Sequence, residues 1–200
     1  MAVRTGCFRQ TKHSAGACWR LVGAWLFLAA ALHAERLPIK SYTTADGLAR
    51  DYITRIVRDA RGFLWVCTNE GLSRFDGYQF TTYTTADGLP HRSVRDLLAT
   101  RGGHYWIATG DGLARLNPMA AGASSPKFEV YRPDPAFKKA HSVRRLLEDR
   151  AGVLWCATDG GLFRLQAGPG GWTFEPLPLV APAEEPNHVQ AILEDHRSDL

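Results

Sequence analysis

One stretch decides the fold of this chain: Arg61-Gly62-Phe63-Leu64-Trp65-Val66-Cys67-Thr68-Asn69-Glu70-Gly71-Leu72-Ser73-Arg74-Phe75, which is followed by two further copies at residues 101–116 and 150–165. In every copy a Trp is followed by Thr after three residues, Gly after six, Leu after seven and Arg after nine. The three tryptophans are 41 and 49 residues apart. A period in this range is typical of stacked supersecondary units.

Each copy lies within a longer unit that predicts four short strands. In the first unit the strands are predicted at 53–57, 64–68, 72–75 and 78–83, with turns at 59–62, 69–71 and 76–77. The first strands of the later units are predicted at 94–98, 143–147 and 189–193. Gly- and Pro-rich stretches at 119–126, 168–171 and 176–186 predict loops. Every unit is therefore expected to be an antiparallel four-stranded meander.

A sheet of this kind has two apolar faces and cannot bury both by itself, so radial stacking of sheets into a β-propeller is the expected fold. The class is all-β, with units at about 42–82, 83–130 and 131–180 and a truncated one at 187–200. That gives about three complete blades plus the first strand of a fourth, not closed in this fragment. Because known propellers close with 4 to 8 blades, we expect residues 35–200 to be the N-terminal part of a larger propeller.

The repeated residues are predicted to form the structural core. We expect each Trp to lie between adjacent blades, with the Leu of its motif beside it and the Gly in the turn before that Leu. These positions are Trp65, Trp106, Trp155, Leu72, Leu113, Leu162, Gly71, Gly112 and Gly161. The alternative for the tryptophans is an exposed surface that stacks on sugars.

Residues 1–34 are typical of a signal peptide. Four basic residues precede an apolar run at 21–32, which is shorter than the roughly 20 residues that span a bilayer. A buried helix with a basic flank is the alternative. The leader holds four of the 24 Lys and Arg and none of the 20 Asp and Glu, so the remainder has no net charge. Nucleic-acid binding therefore lacks the basic surface that it requires.

Catalytic and metal-binding motifs are absent from the sequence. It has no Gly-x-Ser-x-Gly, P-loop, HExxH or dinucleotide fingerprint. The five histidines outside the leader occupy different repeat positions without ligand spacing. Cys67 and Cys156 are predicted to be buried and unpaired, because they lie on opposite faces of their strands. We expect no catalytic residues, no metal and no cofactor in this segment.

A ligand site is predicted where the repeat varies. Four different polar residues precede the innermost strands, and three more lie in the turns after the second strands. Loops at these positions ring the mouth of a propeller channel. The candidates are Asp51, Arg92, His141, Asn187, Asn69, Asp111 and Asp159. Surface variation without function is the alternative.

The motif order resembles a known family. Tyr42-Thr43-Thr44-Ala45-Asp46-Gly47-Leu48 is followed by Leu64-Trp65, Thr68, Gly71-Leu72 and Phe75-Asp76-Gly77, as in two-component regulator propeller repeats. The resemblance covers residues 42–200. The second copy departs from the pattern with Thr100 for Asp59 and Tyr105 for Leu64, and the fourth with Ser198 for Gly62.

The resemblance implies a periplasmic ligand-sensing segment of a bacterial membrane receptor. A transmembrane helix and a cytoplasmic output domain would follow, most often a histidine kinase and in other members a diguanylate cyclase. It further implies a homodimer and a small-molecule or saccharide ligand. A secreted propeller enzyme of the lyase or quinoprotein type is the alternative. A scaffold of the WD type would require closing Trp-Asp pairs, which the units lack.

Overall fold

The computed structural model describes residues 39–117, 127–133, 135–168, 171–178 and 188–195. The predicted signal peptide and residue 187 lie outside these ranges. The described residues from Tyr42 onward belong to one compact unit, which contains all the strands described below. In the described part of the chain, no helix is long and apolar enough to cross a membrane.

Twelve strands in the described residues form three separate four-stranded sheets, each with its strands in chain order. The first contains β1 (Ile53–Arg58), β2 (Leu64–Thr68), β3 (Gly71–Phe75) and β4 (Phe80–Tyr83). The second contains β5 (Val94–Ala99), β6 (Tyr105–Thr109), β7 (Gly112–Leu116) and β8 (Phe128–Tyr131). The third contains β9 (Val143–Glu148), β10 (Leu154–Thr158), β11 (Gly161–Gly168) and β12 (Gly171–Leu177). All neighbouring strands are antiparallel, so the predicted meanders are confirmed.

The conformation of the first turn in each sheet is set by the Asp or Thr at its start and by the Gly near its end. In the first sheet Asp59 Oδ1 accepts hydrogen bonds from the amides of Arg61 (2.9 Å) and Phe63 (3.0 Å). Gly62 has a φ of 90°, which is costly for a residue with a Cβ. The third sheet repeats this arrangement with Asp149 and Gly152. The turn sequence therefore closes the hairpin at the same position in both units.

The short connections between units form 3₁₀ turns. Thr44–Asp46 and Thr85–Asp87 are single turns. In both, the Thr that precedes the turn and the Asp that ends it make reciprocal capping bonds, and the next Gly is left-handed. The near-verbatim repeat of this segment therefore encodes a rigid connector.

The innermost strands lie side by side, with β1 next to β5 and β5 next to β9. Each of them departs from regular pairing just after its first residue, at positions 54, 95 and 144. Such bulges increase the local twist of a strand. The three strands therefore begin close together at one edge of the stack.

The apolar core lies between the sheets. Trp65 and Leu72 of the first sheet pack with Val94, Leu97 and other buried residues of the second. Trp106 and Leu113 of the second sheet pack in the same way with residues of the third. Trp155 and Leu162 keep exposed fractions of 9% and 7%, against 2% and 0% for Trp65 and Leu72. Each motif Trp of the first two sheets is therefore covered by the sheet that follows.

Two stretches differ from the sequence-based expectation. Residues 171–177 form β12. Loop was predicted at both ends of this strand from the Gly and Pro content, but Gly168 pairs opposite Gly171 and continues the ladder. Residues 189–193, predicted as the first strand of a fourth unit, pair with no strand among the described residues. The Val189 amide nevertheless donates to the Thr158 carbonyl across 3.0 Å, which places this segment against β10.

Candidate functional site

A cavity of about 440 Å³ opens where the innermost strands of the three sheets begin. The first sheet, the second sheet, the third sheet and the segment after it all contribute to the wall. The lining residues are Tyr52, Ile53, Thr54, Asn69, Ser93, Arg95, Arg144, Arg145 and Gln190. We call this space the junction cavity.

Three arginines give the junction cavity its character, and the bulges explain two of them. Arg95 and Arg144 are the bulged residues of β5 and β9, and Arg145 follows directly. Arg95 Nη1 donates to Ser142 Oγ at 2.5 Å, and Arg145 Nη1 donates to the Arg95 carbonyl at 3.3 Å. Burial and the positive charge of Arg144 lower the pKa of Arg95. The arginines thus remain crowded together without full neutralisation.

Asp159 supplies the nearest counter-charge to this group. Its carboxylate is ion-paired to Arg144, lies 3.8 Å from Arg95 and lies 2.9 Å from His188 Nδ1. Burial on its own would raise the pKa of Asp159, but hydrogen bonds from Arg144 and Ser142 and the nearby positive charges outweigh it and lower the pKa. One ionised carboxylate therefore faces two arginines and a histidine.

A second carboxylate joins the sheets beneath the cavity. Asp96 on β5 is 1% exposed, forms an ion pair with Arg55 of the first sheet, whose Nε lies 2.8 Å away, and accepts a hydrogen bond from the Leu146 amide of the third at 3.0 Å. Burial raises the pKa of Asp96, although these partners act in the opposite direction. Asp96 therefore links the three sheets and is closed to ligands.

The structure separates the predicted site residues. Asn69 lines the junction cavity, and Asp159 contacts two of the lining residues, Arg144 and Arg95. Asp51 accepts from the Thr44 amide at 2.8 Å and so supports the connector before the first sheet. Asn187 lies outside the described residues. The other three, Arg92, Asp111 and His141, form contacts between neighbouring sheets.

Those contacts repeat from sheet to sheet. Arg92 before β5 pairs with Glu70 of the first sheet at 3.0 Å. His141 before β9 approaches Asp111 of the second sheet at 3.5 Å, where Arg132 also binds at 2.9 Å. The hydrogen bond from Arg132 is the largest cause of the lowered pKa of Asp111. An acidic turn residue of one sheet thus contacts the approach to the next sheet.

The arginines of the cavity were missed by the sequence analysis, which looked only at loops. The available signal was a polar residue directly after the first, apolar residue of each innermost strand. Thr54, Arg95 and Arg144 share that position in β1, β5 and β9. A bulge turns such a residue toward the strand end.

The described lining contains no carboxylate, thiol or histidine. Its three arginines favour ligands that carry negative or strongly polar groups. Cys67 and Cys156 are free and buried in the sheets. Burial raises the pKa of Cys67 to about 12, and it also raises the pKa of Cys156. Both are unreactive packing residues.

Comparison with solved structures establishes the fold. The extracellular domain of the hybrid two component system BT3049 from B. thetaiotaomicron is 19% identical, with a TM-score of 0.61 over 82% of this chain and 22% of that one. The extracellular domain of BT4673 from the same organism is 20% identical, with a TM-score of 0.64 over 80% of this chain and 24% of that one. This chain is accordingly a set of open β-propeller blades.

Sequence comparison identifies the repeat. Residues 47–70 match the family model "Two component regulator propeller", which confirms the resemblance predicted from the motifs. "Histidine kinase P4" from Formosa agariphila is 43% identical over 56 residues, which are 27% of this chain and 4% of that protein. The chain thus spans less than a quarter of the length of each of these relatives.

Proposed function

We propose that this chain is the exported, ligand-sensing propeller segment of a bacterial two-component receptor, and that its output is a histidine kinase. The observation that carries the proposal is the two component regulator propeller repeat at residues 47–70, set in three stacked blades. The local similarity to a histidine kinase supports the choice of output. The signal-peptide pattern at residues 1–34 supports export to the periplasm.

The junction cavity is the proposed sensing site. It is lined from three sheets and the following segment, so a ligand bound there contacts several blades at once. Arg95 and Arg144 favour a small molecule or saccharide with an acidic or strongly polar group. A ligand that prefers one arrangement of the blades would shift the pairing of two propellers in a homodimer and so signal across the membrane.

Transcription in the native bacterium tests the receptor function. A strain lacking the gene and its parent would be grown on a panel of single saccharides and organic acids, and their transcripts compared. We expect one substrate to induce a set of genes in the parent and not in the deletion strain. Identical responses on every substrate would reject the receptor function.

Complementation then tests the site within the full-length protein. We expect wild-type protein and Arg164→Gln, which changes an exposed pair with Glu175 outside the lining of the cavity, to restore induction. Arg144→Gln should raise the inducing concentration at least tenfold. Full restoration by Arg144→Gln and Arg95→Gln would place the ligand elsewhere.

Export can be measured separately. Alkaline phosphatase, which is active only after export, would be fused after residue 200. We expect activity from this fusion and none from the same fusion lacking residues 1–34. Equal activity of the two fusions would contradict the signal-peptide assignment.

A further inference from the structure

The arginine near the end of the repeated motif has a carboxylate partner in two of the three sheets. Arg115 on β7 lies opposite Glu129 on β8, and their side chains approach to 2.6 Å. Arg164 on β11 lies opposite Glu175 on β12, at 2.5 Å. A cross-strand Arg and Glu pair is therefore part of the blade pattern.

The first sheet lacks this carboxylate. Arg74 on β3 lies opposite Thr81 on β4, whose hydroxyl cannot neutralise a guanidinium. In the described part of the chain, Arg74 forms no ion pair and its buried Nε has no hydrogen-bond partner. Its guanidinium lies 4.8 Å from the ring centre of Phe63 and 6.0 Å from that of Trp65. A buried donor without a partner is costly, so this position points to a missing acceptor.

An open space accompanies the unpaired arginine. A cavity of about 210 Å³, here called the Arg74 cavity, lies between the first two sheets and has both aromatic and basic walls. Its lining is Arg61, Phe63, Trp65, Arg74, Tyr83, Tyr105, Leu116, Asn117 and Lys127. The second sheet has a comparable cavity of about 270 Å³, but Glu129 lines that one together with Arg115. The second sheet thus shows the same arginine position with its carboxylate partner present.

The acidic groups around Arg74 have other partners. Asp76 feels the charge of Arg74 through space, but its carboxylate accepts hydrogen bonds from two amides of its own turn. Asp59 accepts from Trp65 Nε1 at 3.0 Å and from the Tyr105 hydroxyl at 2.7 Å. Asp87 binds Lys127 Nζ at 2.7 Å and caps its own turn. None of these carboxylates forms an ion pair or a hydrogen bond with Arg74 among the described residues. The guanidinium of Arg74 can therefore bind another anion.

We propose that the Arg74 cavity binds a small planar carboxylate, whose carboxylate group replaces the glutamate that the other two sheets supply. A guanidinium donates two parallel hydrogen bonds to the oxygens of a carboxylate. The rings of Trp65, Tyr83 and Tyr105 provide faces and edges for a flat body. A volume of about 210 Å³ is below the range of sites for drug-sized ligands, so the ligand is a small acid. The site is separate from the junction cavity.

Titration calorimetry of the full-length protein with benzoate tests this proposal. Acetate has the charge without the ring, and benzamide has the ring without the charge. We expect benzoate to bind at one site, acetate at least tenfold more weakly, and benzamide without detectable heat. Absence of benzoate binding, or equal binding of benzamide, would overturn the proposal.

Thr81→Glu gives the decisive variant, because it builds into the first sheet the pair that the other sheets contain. We expect it to raise the melting temperature and to weaken benzoate binding at least tenfold, whereas the neutral Thr81→Gln should bind as wild type. Unchanged affinity in Thr81→Glu would place the ligand elsewhere and reject the site.

A second variant covers the case in which Thr81→Glu does not fold. Lys127→Gln removes an exposed cation at the rim. We expect it to weaken benzoate and acetate alike, by about threefold, because both carry the negative charge, while benzamide still gives no detectable heat. No effect would also count against the site. Because Arg95 and Arg144 are unaltered in all these variants, loss of benzoate binding with intact induction would separate this proposal from the receptor function.

Discussion

The indole N–H of Trp65 donates to Asp59 Oδ2 across 3.0 Å, and Trp155 makes the same bond to Asp149 at 2.9 Å. Trp106 differs, because Thr100 occupies the aspartate position. Thr100 Oγ1 still accepts from the His104 amide at 3.0 Å and keeps the turn. The buried Nε1 of Trp106 has no partner among the described residues.

Thr100→Asp should therefore stabilise the protein. The second carboxylate oxygen can reach the indole as it does in the other two sheets, and a made hydrogen bond is worth about 1 kcal/mol. We expect a gain of this size in the free energy of unfolding, measured by urea denaturation. The reverse change, Asp149→Thr, should cost about 1–3 kcal/mol by orphaning Trp155. Equal stability of all three proteins would show that these bonds contribute nothing.

Trp106→Ala should be strongly destabilising. The side chain is 1% exposed and packs with the third sheet, including an edge-on contact with Trp172 at 5.1 Å between ring centres. Emptying a large buried aromatic site costs about 3–5 kcal/mol. Tyr78→Ala is the control, because Tyr78 is 92% exposed, and we expect less than about 0.5 kcal/mol there. A loss below about 1 kcal/mol for Trp106→Ala would contradict its burial between sheets.

Two glycines with nearly the same φ allow the cost of a left-handed backbone to be measured apart from the cost of a steric clash. Gly112 has a φ of 105° and Gly77 one of 104°. A Cβ on Gly112 would lie 2.8 Å from the Tyr131 carbonyl oxygen, whereas one on Gly77 would meet nothing within 4 Å. We expect Gly77→Ala to cost about 1 kcal/mol through the left-handed backbone alone, and Gly112→Ala clearly more. Thermal unfolding of both variants gives the comparison, and equal losses would show that the turn at Gly112 relaxes.

Acid should weaken the contact between the first two sheets. Burial on its own would raise the pKa of Asp59, but hydrogen bonds from Trp65, Tyr105 and two backbone amides leave its pKa below the ordinary 3.8. A lowered folded pKa means that the carboxylate stabilises the fold above pH 3.8 and that this contribution is lost as pH falls through the folded pKa.

Asp59→Asn should remove that part of the pH dependence. We expect a lower melting temperature at neutral pH and a shallower fall below about pH 4 than in wild type. Asp76→Asn is a useful control, because its pKa is also lowered but its side chain bonds only its own exposed turn. Parallel melting curves for Asp59→Asn and wild type across the acidic range would refute this role of Asp59.

The buried thiols should resist modification. Burial raises the pKa of both Cys67 and Cys156, and a thiol reacts as its thiolate. We expect neither to react with a disulfide reagent in the native protein and both to react in urea. Rapid labelling without denaturant would show that the sheets open locally.

The sequence was sufficient for the blades because their residues serve local geometry. The turn at Asp59 and Gly62 and the alternating apolar positions around Trp65 each specify a hairpin without distant partners. Boundaries shifted where a side chain changed the turn: β4 starts at Phe80 because Asp76 accepts from the amides of Tyr78 and Gln79. The strand at 171–177 is longer than expected, because the Gly and Pro content of its two ends predicted loop there.

The candidate site was less predictable, because it depends on which side chains different sheets bring together. Arg92 and His141 were expected to face a ligand, yet they contact Glu70 and Asp111 of the preceding sheet. Arg95 and Arg144 reach the junction cavity through bulges, which the strand pattern does not encode. The missing glutamate opposite Arg74 became visible only once strand register aligned Thr81 with its counterparts.

The hydroxyl of Tyr105 in the second sheet donates a hydrogen bond to Asp59 in the first sheet. At the junction of the second and third sheets, Leu154 occupies the position of Tyr105 and Thr100 occupies the position of Asp59. Units with similar sequences therefore make contacts that are specific to their own neighbours. Exchanging the second and third units by recombination would set Leu154 against Asp59 and Tyr105 against Asp149. Duplication can lengthen such an array, but its order along the chain becomes hard to shuffle once each junction has acquired its own complementary pair.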